Sequence, residues 1–235
     1  MDAHKVVARE EWTTARKALL EREKALTRLR DELSEARRNL PWVKIDKVYS
    51  FDGPEGAVRL AEVFDGCSQL IVYHFMFGPD WESGCKSCAF WSDHFDAAIP
   101  HLKARDTALA VISRAPLAKL SAFAQRLEWR FLWLSSLGSD FNTDYGVSFD
   151  VDDIKAGRAT YNYGPLSAEF EERGGVSVFS RTATGDVYHT YSSYARGLEA
   201  FNSTYQLLDL TPKGRDEDAL NNTMEWVRLH DKYDH

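Results

Sequence analysis

The chain has 235 residues, of which 44% are hydrophobic and 28% are charged, the composition of an ordinary soluble globular protein. Its formal net charge of −7 argues against a nucleic-acid partner, whose binding surface would normally be basic. No apolar run approaches the roughly 20 residues that a membrane helix needs, and the charged N-terminus does not resemble a secretory signal. Three cysteines are too few for a disulfide framework. We therefore expect a cytoplasmic protein with mostly reduced thiols, and neither nucleic acid nor a membrane as partner.

The first predicted element is a helix from about residue 6 to residue 40, without Gly or Pro and ended by Pro41. Its apolar side chains recur at a three-four spacing, broken only by Arg22. This seam consists of Trp12, Ala15, Leu19, Leu26, Leu29, Leu33, Ala36 and Leu40. A seam this narrow favours helix–helix contact over the covering of a sheet. Residues 1–41 are thus an N-terminal arm, which either packs on its own domain or forms a homodimer with a second copy.

Residues 42–235 are predicted to form one domain around a long apolar run, residues 69–77. Seven of these nine residues are apolar, too many for burial on one side, so the run fits a central strand covered on both faces. Before it, the sequence predicts a strand over 44–51, a turn over 52–56 and a short helix or strand from Val58 to Phe64. Cys67 is interpreted as a small buried hydrophobe.

After the run, the pattern alternates between helices and buried strands. A helix should begin at Cys85 and kink or end near Ile99, because Pro100 follows. A strand over 107–113, a helix opened by Pro116 and a strand over 131–134 complete two right-handed parallel crossovers. Then come an aromatic-rich insertion over about 138–172, a hairpin of residues 176–181 and 186–191, and a helix over 216–230. The expected fold is α/β, a mixed central sheet flanked by helices, with a long N-terminal helix and an insertion before the last hairpin.

The chemistry of the chain is predicted to lie in Cys85 and Cys88, a Cys-x-x-Cys pair at the start of a helix after a buried strand. A helix N-terminus or a nearby cation lowers a thiol pKa from about 8.5 to roughly 3.5–7.5, and Lys86 adds such a cation. Cys85 is therefore the predicted nucleophile. Cys88 lies one helical turn further and can resolve a mixed disulfide. Gly84 lets the backbone turn before the helix, and Trp81 provides an apolar surface beside the cysteines on which a partner could dock.

Other chemistries fit the sequence less well. Half of a zinc site has the same Cys-x-x-Cys spacing, but a closed site usually draws on a second pair of ligands, and the chain has none. An inert buried pair is a further alternative. Asp150–Asp153 lacks the spacing of a calcium loop and is interpreted as a solvated turn, and His189 as a hydrogen-bonded sheet histidine rather than a proton donor. No metal and no cofactor are expected.

Several segments together resemble the bacterial family called domain of unknown function 899. They are residues 73–79, 84–88, 175–179, 189–191 and 207–215. That family is described as thioredoxin-like, so the resemblance implies a thioredoxin-type fold with the Cys-x-x-Cys pair at the head of a central helix. The order of elements looks closest to the peroxiredoxins, which also place an extra strand before the final hairpin.

Two departures from these relatives matter for function. Peroxiredoxins carry a Thr three residues before the reactive Cys, where this chain has Glu82. Thioredoxins place a cis-proline before the last hairpin, where this chain has Arg173–Val176 and no proline; Arg173 could approach the thiolate instead. Three functions stay open: a dithiol oxidoreductase acting on a protein or small-molecule disulfide or oxidant, a thiol peroxidase, and a non-catalytic binding module.

Overall fold

The structure is a computed structural model that describes residues 4–166 and 170–233. Residues 167–169, which belong to the predicted insertion over 138–172, lie outside the described residues. The chain forms two compact units, Met1–Pro41 and Trp42–His235. Among the described residues, no helix combines the length and the apolar character needed to cross a membrane.

The first unit is a single helix, α1, Arg9–Arg38, which confirms the predicted helical stretch. Its first turn is acidic and its last turn is basic, the arrangement that the helix dipole favours. Of the predicted seam, Leu26, Leu29 and Leu33 are 49%, 59% and 49% exposed. The helix thus carries an apolar face along its length.

A homodimer through α1 stays a prediction. Replacing Leu26 and Leu33 together with glutamate should convert a dimer into a monomer, because charges at seam positions abolish apolar burial between helices. Sedimentation equilibrium measures the mass, and Arg30→Glu, outside the seam, is the control. A wild-type protein that sediments as a monomer at micromolar concentration would contradict the prediction.

In the described part of the second unit there are ten strands and six helices. The strands are β1 Val43–Lys44, β2 Ser50–Gly53, β3 Gly56–Arg59, β4 Gln69–His74, β5 Thr107–Ser113, β6 Leu132–Ser135, β7 Thr160–Tyr161, β8 Gly164–Pro165, β9 Gly175–Arg181 and β10 Val187–Tyr194. The helices are α2 Lys86–Ser92, α3 Phe95–Lys103, α4 Leu117–Arg126, α5 Phe141–Asp144, α6 Val151–Lys155 and α7 Ser203–Leu208. Two 3-10 helices, Ala195–Phe201 and His230–Lys232, complete the described elements.

Eight of the strands form one mixed sheet in the order β1-β10-β9-β4-β5-β6-β2-β3. β4 pairs in parallel with β5 on one side and antiparallel with β9 on the other, and β9 and β10 form the predicted hairpin. A β–α–β unit and a β-hairpin that meet at the strand before the cysteines are the arrangement of thioredoxin-like proteins. The fold is thioredoxin-like, as the resemblance implied.

The central strand β4 is covered on both faces, as its apolar run predicted. Leu70 and Val72 lie in one apolar cluster, and Tyr73 and Phe75 lie in a second cluster on the opposite face. Fully burying one such side chain stabilises the fold by about 1.5–3 kcal/mol. Cys67 is buried in the first cluster, as predicted for a small hydrophobe.

Four predicted elements differ in the structure. The short helix or strand from Val58 to Phe64 is a strand only as far as Arg59, where β3 ends, and continues as turns. The strand over 44–51 is wrong, because β1 pairs with β10 at one edge of the sheet and β2 pairs with β6 near the other. The helix after Cys85 breaks at Asp93–His94, not at Pro100. Since α3 begins only at Phe95, Pro100 removes a single intrahelical bond and is tolerated inside it.

The helix over 216–230 is also wrong, because this segment runs as turns until the 3-10 helix at His230–Lys232. Asp216 and Met224 have left-handed backbone angles, φ 53° and 61°, which no α-helix accommodates. A side chain holds the segment instead: the Glu217 carboxylate accepts hydrogen bonds from the Met224 N–H (2.9 Å) and the Trp226 indole (2.6 Å). The apolar side chains of this segment recur at helical spacing, although the segment forms no α-helix.

Candidate active site

The loop that carries the cysteines is held at both ends by backbone hydrogen bonds. Beyond β4, Phe77 accepts a bond from the Ala115 N–H (2.8 Å), and Met76 accepts one from the Cys85 N–H (3.0 Å). Gly84, just before Cys85, is buried, and a Cβ there would lie 2.8 Å from Cε1 of Phe75. Gly84 is therefore needed for close packing on Phe75, a reason that the prediction of a sharp turn did not include.

Cys85 occupies the N-cap position of α2 and is half-buried. Its pKa is lowered to about 6, first by a hydrogen bond from the Cys88 thiol and then by the N–H groups of Cys88 and Ser87 and the Ser87 hydroxyl; burial opposes this shift. The donors are those that a helix start leaves without an intrahelical partner. At neutral pH this geometry favours a thiolate at Cys85.

Cys88 has the opposite properties. Its side chain is buried, and burial raises the pKa of its thiol well above the ordinary value. Its sulfur accepts a hydrogen bond from the Met76 N–H (3.4 Å) and one from the Tyr73 hydroxyl. The pKa of one thiol of the pair is thus lowered and that of the other is raised.

The remaining predicted site residues lie around this pair in different roles. The Lys86 amine donates to the backbone carbonyl of Glu225 (2.9 Å). The Trp81 indole packs on Gly78, where a Cβ would lie 2.9 Å from Nε1, and Glu82 is exposed. The guanidinium of Arg173 lies over the rings of Phe170 and Tyr161, 5.3 and 5.9 Å from their centroids. Hydrogen-bond donors within α2, rather than these cations, lower the Cys85 pKa.

The segment before β9 lies next to Cys88. A Cβ on Gly174 would lie 3.7 Å from the Cys88 sulfur, which is ordinary contact. The Tyr161 hydroxyl, from the insertion, donates to the Gly174 carbonyl (2.7 Å) and accepts from the Ala195 N–H (3.0 Å). The insertion therefore holds in place the strand start that a proline occupies in thioredoxins.

Sequence reasoning missed Tyr73, Met76 and Tyr161 as neighbours of Cys88. Strand alternation could have found Tyr73, because it shares a face of β4 with the apolar side chains that pack under α2. Nothing in the local sequence marks Tyr161, whose contact with Gly174 is formed only by the fold.

A cavity of about 650 Å³ adjoins the pair. Of the two cysteines, Cys88 lines it, together with Tyr73, Tyr161 and Gly174. Residues 213–218, Thr223 and Met224 also line it. In the described part of the chain, no group of three or more His, Cys, Asp or Glu residues is arranged to hold a metal ion.

Over residues 1–233 the sequence matches the model of a family described as "Bacterial protein of unknown function (DUF899)". The chain belongs to this family. The DUF899 protein has no significant match among curated proteins.

Solved structures similar to the DUF899 protein include two from the peroxiredoxins. Peroxidoxin BcpB from Mycobacterium tuberculosis is 11% identical, with a TM-score of 0.47, and the match covers 72% of this chain and 97% of that one. A mutant of peroxiredoxin Q from Xanthomonas campestris is 13% identical, with a TM-score of 0.45, covering 72% and 96%.

The low pKa of Cys85 in this DUF899 protein predicts its reactivity. Alkylation by iodoacetamide should follow a titration with a midpoint near pH 6, because only the thiolate reacts. Ser87→Ala should raise the midpoint, since it removes the hydroxyl donor and keeps the N–H. Ser83→Ala, before the helix, is the matched control. A midpoint near the pH of about 8.5 expected for a free cysteine would contradict the geometry.

Glu172, two residues before Gly174, should make stability depend on pH. It is 2% exposed, its Oε1 is 3.0 Å from Arg114 Nη1, and its Oε2 accepts from the Ser148 hydroxyl (2.6 Å). Burial outweighs these partners and raises its pKa to about 7. Because the unfolded chain releases this proton at about pH 4.3, the folded state loses stability as pH rises from there to 7, by up to about 3 kcal/mol.

Glu172→Gln should flatten the pH dependence of the free energy of unfolding between pH 4.5 and 7, measured by urea denaturation. Glu55→Gln, on an exposed turn, should leave it unchanged. If the Glu172→Gln profile still falls like that of the wild type, Glu172 is not the titrating group.

Proposed function

We propose that the protein is a dithiol–disulfide oxidoreductase in which Cys85 is the nucleophile and Cys88 the resolving thiol. The observation that carries the proposal is the asymmetric pair at the head of α2. Cys85 is stabilised as a thiolate by the Cys88 thiol and the first N–H groups of the helix, whereas burial keeps Cys88 protonated. Attack requires a thiolate, and resolution requires a second sulfur within reach.

The reaction has two steps. The Cys85 thiolate attacks one sulfur of a disulfide RSSR, forms the mixed disulfide Cys85–S–SR and releases RS⁻. Cys88 then attacks the Cys85 sulfur and gives its proton to the leaving sulfur, which departs as RSH. The protein ends with a Cys85–Cys88 disulfide, oxidised by two electrons, and the substrate ends as one thiolate RS⁻ and one thiol RSH.

A thiol peroxidase is supported less well by the residues around Cys85. Peroxide reduction at a cysteine needs donors for the peroxide oxygens, and the position that carries Thr in peroxiredoxins is Glu82, which is exposed. The groups that polarise Cys85 belong to α2 itself. They serve disulfide exchange equally well and do not form a separate peroxide site.

Redox titration tests the proposal. In glutathione buffers with a series of reduced-to-oxidised ratios, the purified protein should convert reversibly between a dithiol and an intramolecular disulfide. The fraction of each form is measured by alkylating the free thiols and recording mass spectra. Cys67→Ser should titrate like the wild type, because Cys67 is buried in the other apolar cluster. A protein that forms no reversible disulfide is not a dithiol oxidoreductase. Fast reaction with hydrogen peroxide, well above the rate of a free thiol, would favour the peroxidase instead.

A further inference from the structure

The two cysteines of the pair differ in their surroundings. Cys85 is half-buried at the start of α2, whereas Cys88 lines the cavity of about 650 Å³. That volume lies within the roughly 300–1,000 Å³ of small-molecule sites. A protein substrate is too large for such a cavity, so a reactant that meets Cys88 there must be small.

The lining of the cavity indicates what kind of molecule fits. Near Cys88 the walls are apolar or aromatic and include Tyr73, Trp91 and Tyr205. At the rim stand exposed groups of both signs, among them Arg196, Lys213, Asp216 and Asp218. Charges of both signs suit a ligand that carries both an ammonium and a carboxylate, as thiols of the amino-acid type do.

We propose that a low-molecular-weight thiol of the cysteine or glutathione type enters this cavity and reduces the oxidised protein by attacking the Cys88 sulfur. The proposal rests on the oxidoreductase function proposed above and names the electron donor of that same site. The thiolate RS⁻ forms Cys88–S–SR and breaks the Cys85–Cys88 bond, so Cys85 leaves as a thiolate. A second thiol RSH then attacks the sulfur of the RS group bound to Cys88. This releases RSSR, and Cys88 takes up the proton of the second thiol.

The properties of the two cysteines favour this direction of attack. The better leaving group in thiol exchange is the thiol of lower pKa, and the lowered pKa belongs to Cys85. Attack on Cys85 would instead expel Cys88, whose pKa burial raises. The sulfur that faces the cavity is thus also the one whose attack releases the more stable thiolate.

The position of the adduct tests the proposal. Protein oxidised with diamide is mixed with reduced glutathione and iodoacetamide, quenched with acid, and mapped by peptide mass spectrometry. The expected product carries glutathione on Cys88 and a carbamidomethyl group on Cys85. Glutathione on Cys85 would overturn the proposal and leave the oxidoreductase intact. If diamide produces no Cys85–Cys88 disulfide, the oxidoreductase itself fails, and the proposal with it.

A matched pair of variants tests the route. Thr223 lines the cavity and its exposed neighbour Asn222 does not. Thr223→Trp should slow reduction by glutathione on the order of tenfold, because exchange depends on access to the attacked sulfur. Asn222→Trp should reduce at the wild-type rate. Equal rates in both variants would show that the thiol does not pass through the cavity.

Discussion

Replacing Cys85 with serine should lower the rate of disulfide reduction by on the order of a thousandfold or more, because a serine hydroxyl is not ionised at neutral pH and cannot replace the thiolate. The rate is measured with a chromogenic disulfide such as dithiobis(nitrobenzoic acid) under single-turnover conditions. Cys67→Ser should react at the wild-type rate, because Cys67 is buried and packs as a small apolar residue.

Cys88→Ser should have a different effect. It keeps the nucleophile and removes the resolving sulfur, so the mixed disulfide on Cys85 should accumulate in a mass spectrum. The Cys85 pKa should rise in Cys88→Ala, which removes the donor altogether, since the hydrogen bond from the Cys88 thiol lowers that pKa the most. If Cys85→Ser retains substantial activity, or if Cys88→Ser traps nothing, the assignment of the two roles is wrong.

The sequence predicted the part of the site that lies within one stretch of chain. The apolar run ending in Phe77 and the two cysteines after it are adjacent in sequence, so their strand–loop–helix order follows from local patterns. β5 begins and ends at the predicted residues, 107 and 113, because a continuous apolar run flanked by polar residues marks both ends of a buried strand.

The groups around Cys88 could not be predicted in the same way. Tyr161 reaches Gly174 through a hydrogen bond between segments with no shared periodicity, and the cavity wall near Lys213 comes from the far end of the chain. These contacts depend on tertiary packing and on side-chain hydrogen bonds. A residue's own neighbours in sequence carry no signal for them.

Removing the Glu217 carboxylate should have the largest effect on the C-terminal segment. Its Oε1 accepts hydrogen bonds from the Tyr205 hydroxyl (2.9 Å), the Met224 N–H (2.9 Å) and the Trp226 indole (2.6 Å). Hydrogen bonds to a charged group contribute about 1.5–3 kcal/mol each and are not additive, so Glu217→Ala should lower the free energy of unfolding by about 2–4 kcal/mol. Urea denaturation measures this loss.

The control and the conservative variant separate this anchoring from a general surface effect. Glu225→Ala, an exposed carboxylate of the same segment, should stay within about 0.5 kcal/mol of the wild type. Glu217→Gln keeps an acceptor oxygen and should lose less stability than Glu217→Ala. The alanine variant should also make the segment more accessible to limited proteolysis, because the hydrogen bonds that anchor it are lost. Since Glu217 lines the cavity beside Cys88, the same change loosens the cavity wall. A Glu217→Ala protein as stable as Glu225→Ala would mean that the apolar contacts of Trp226 with Phe90 (ring centroids 5.5 Å apart) hold the segment without the carboxylate.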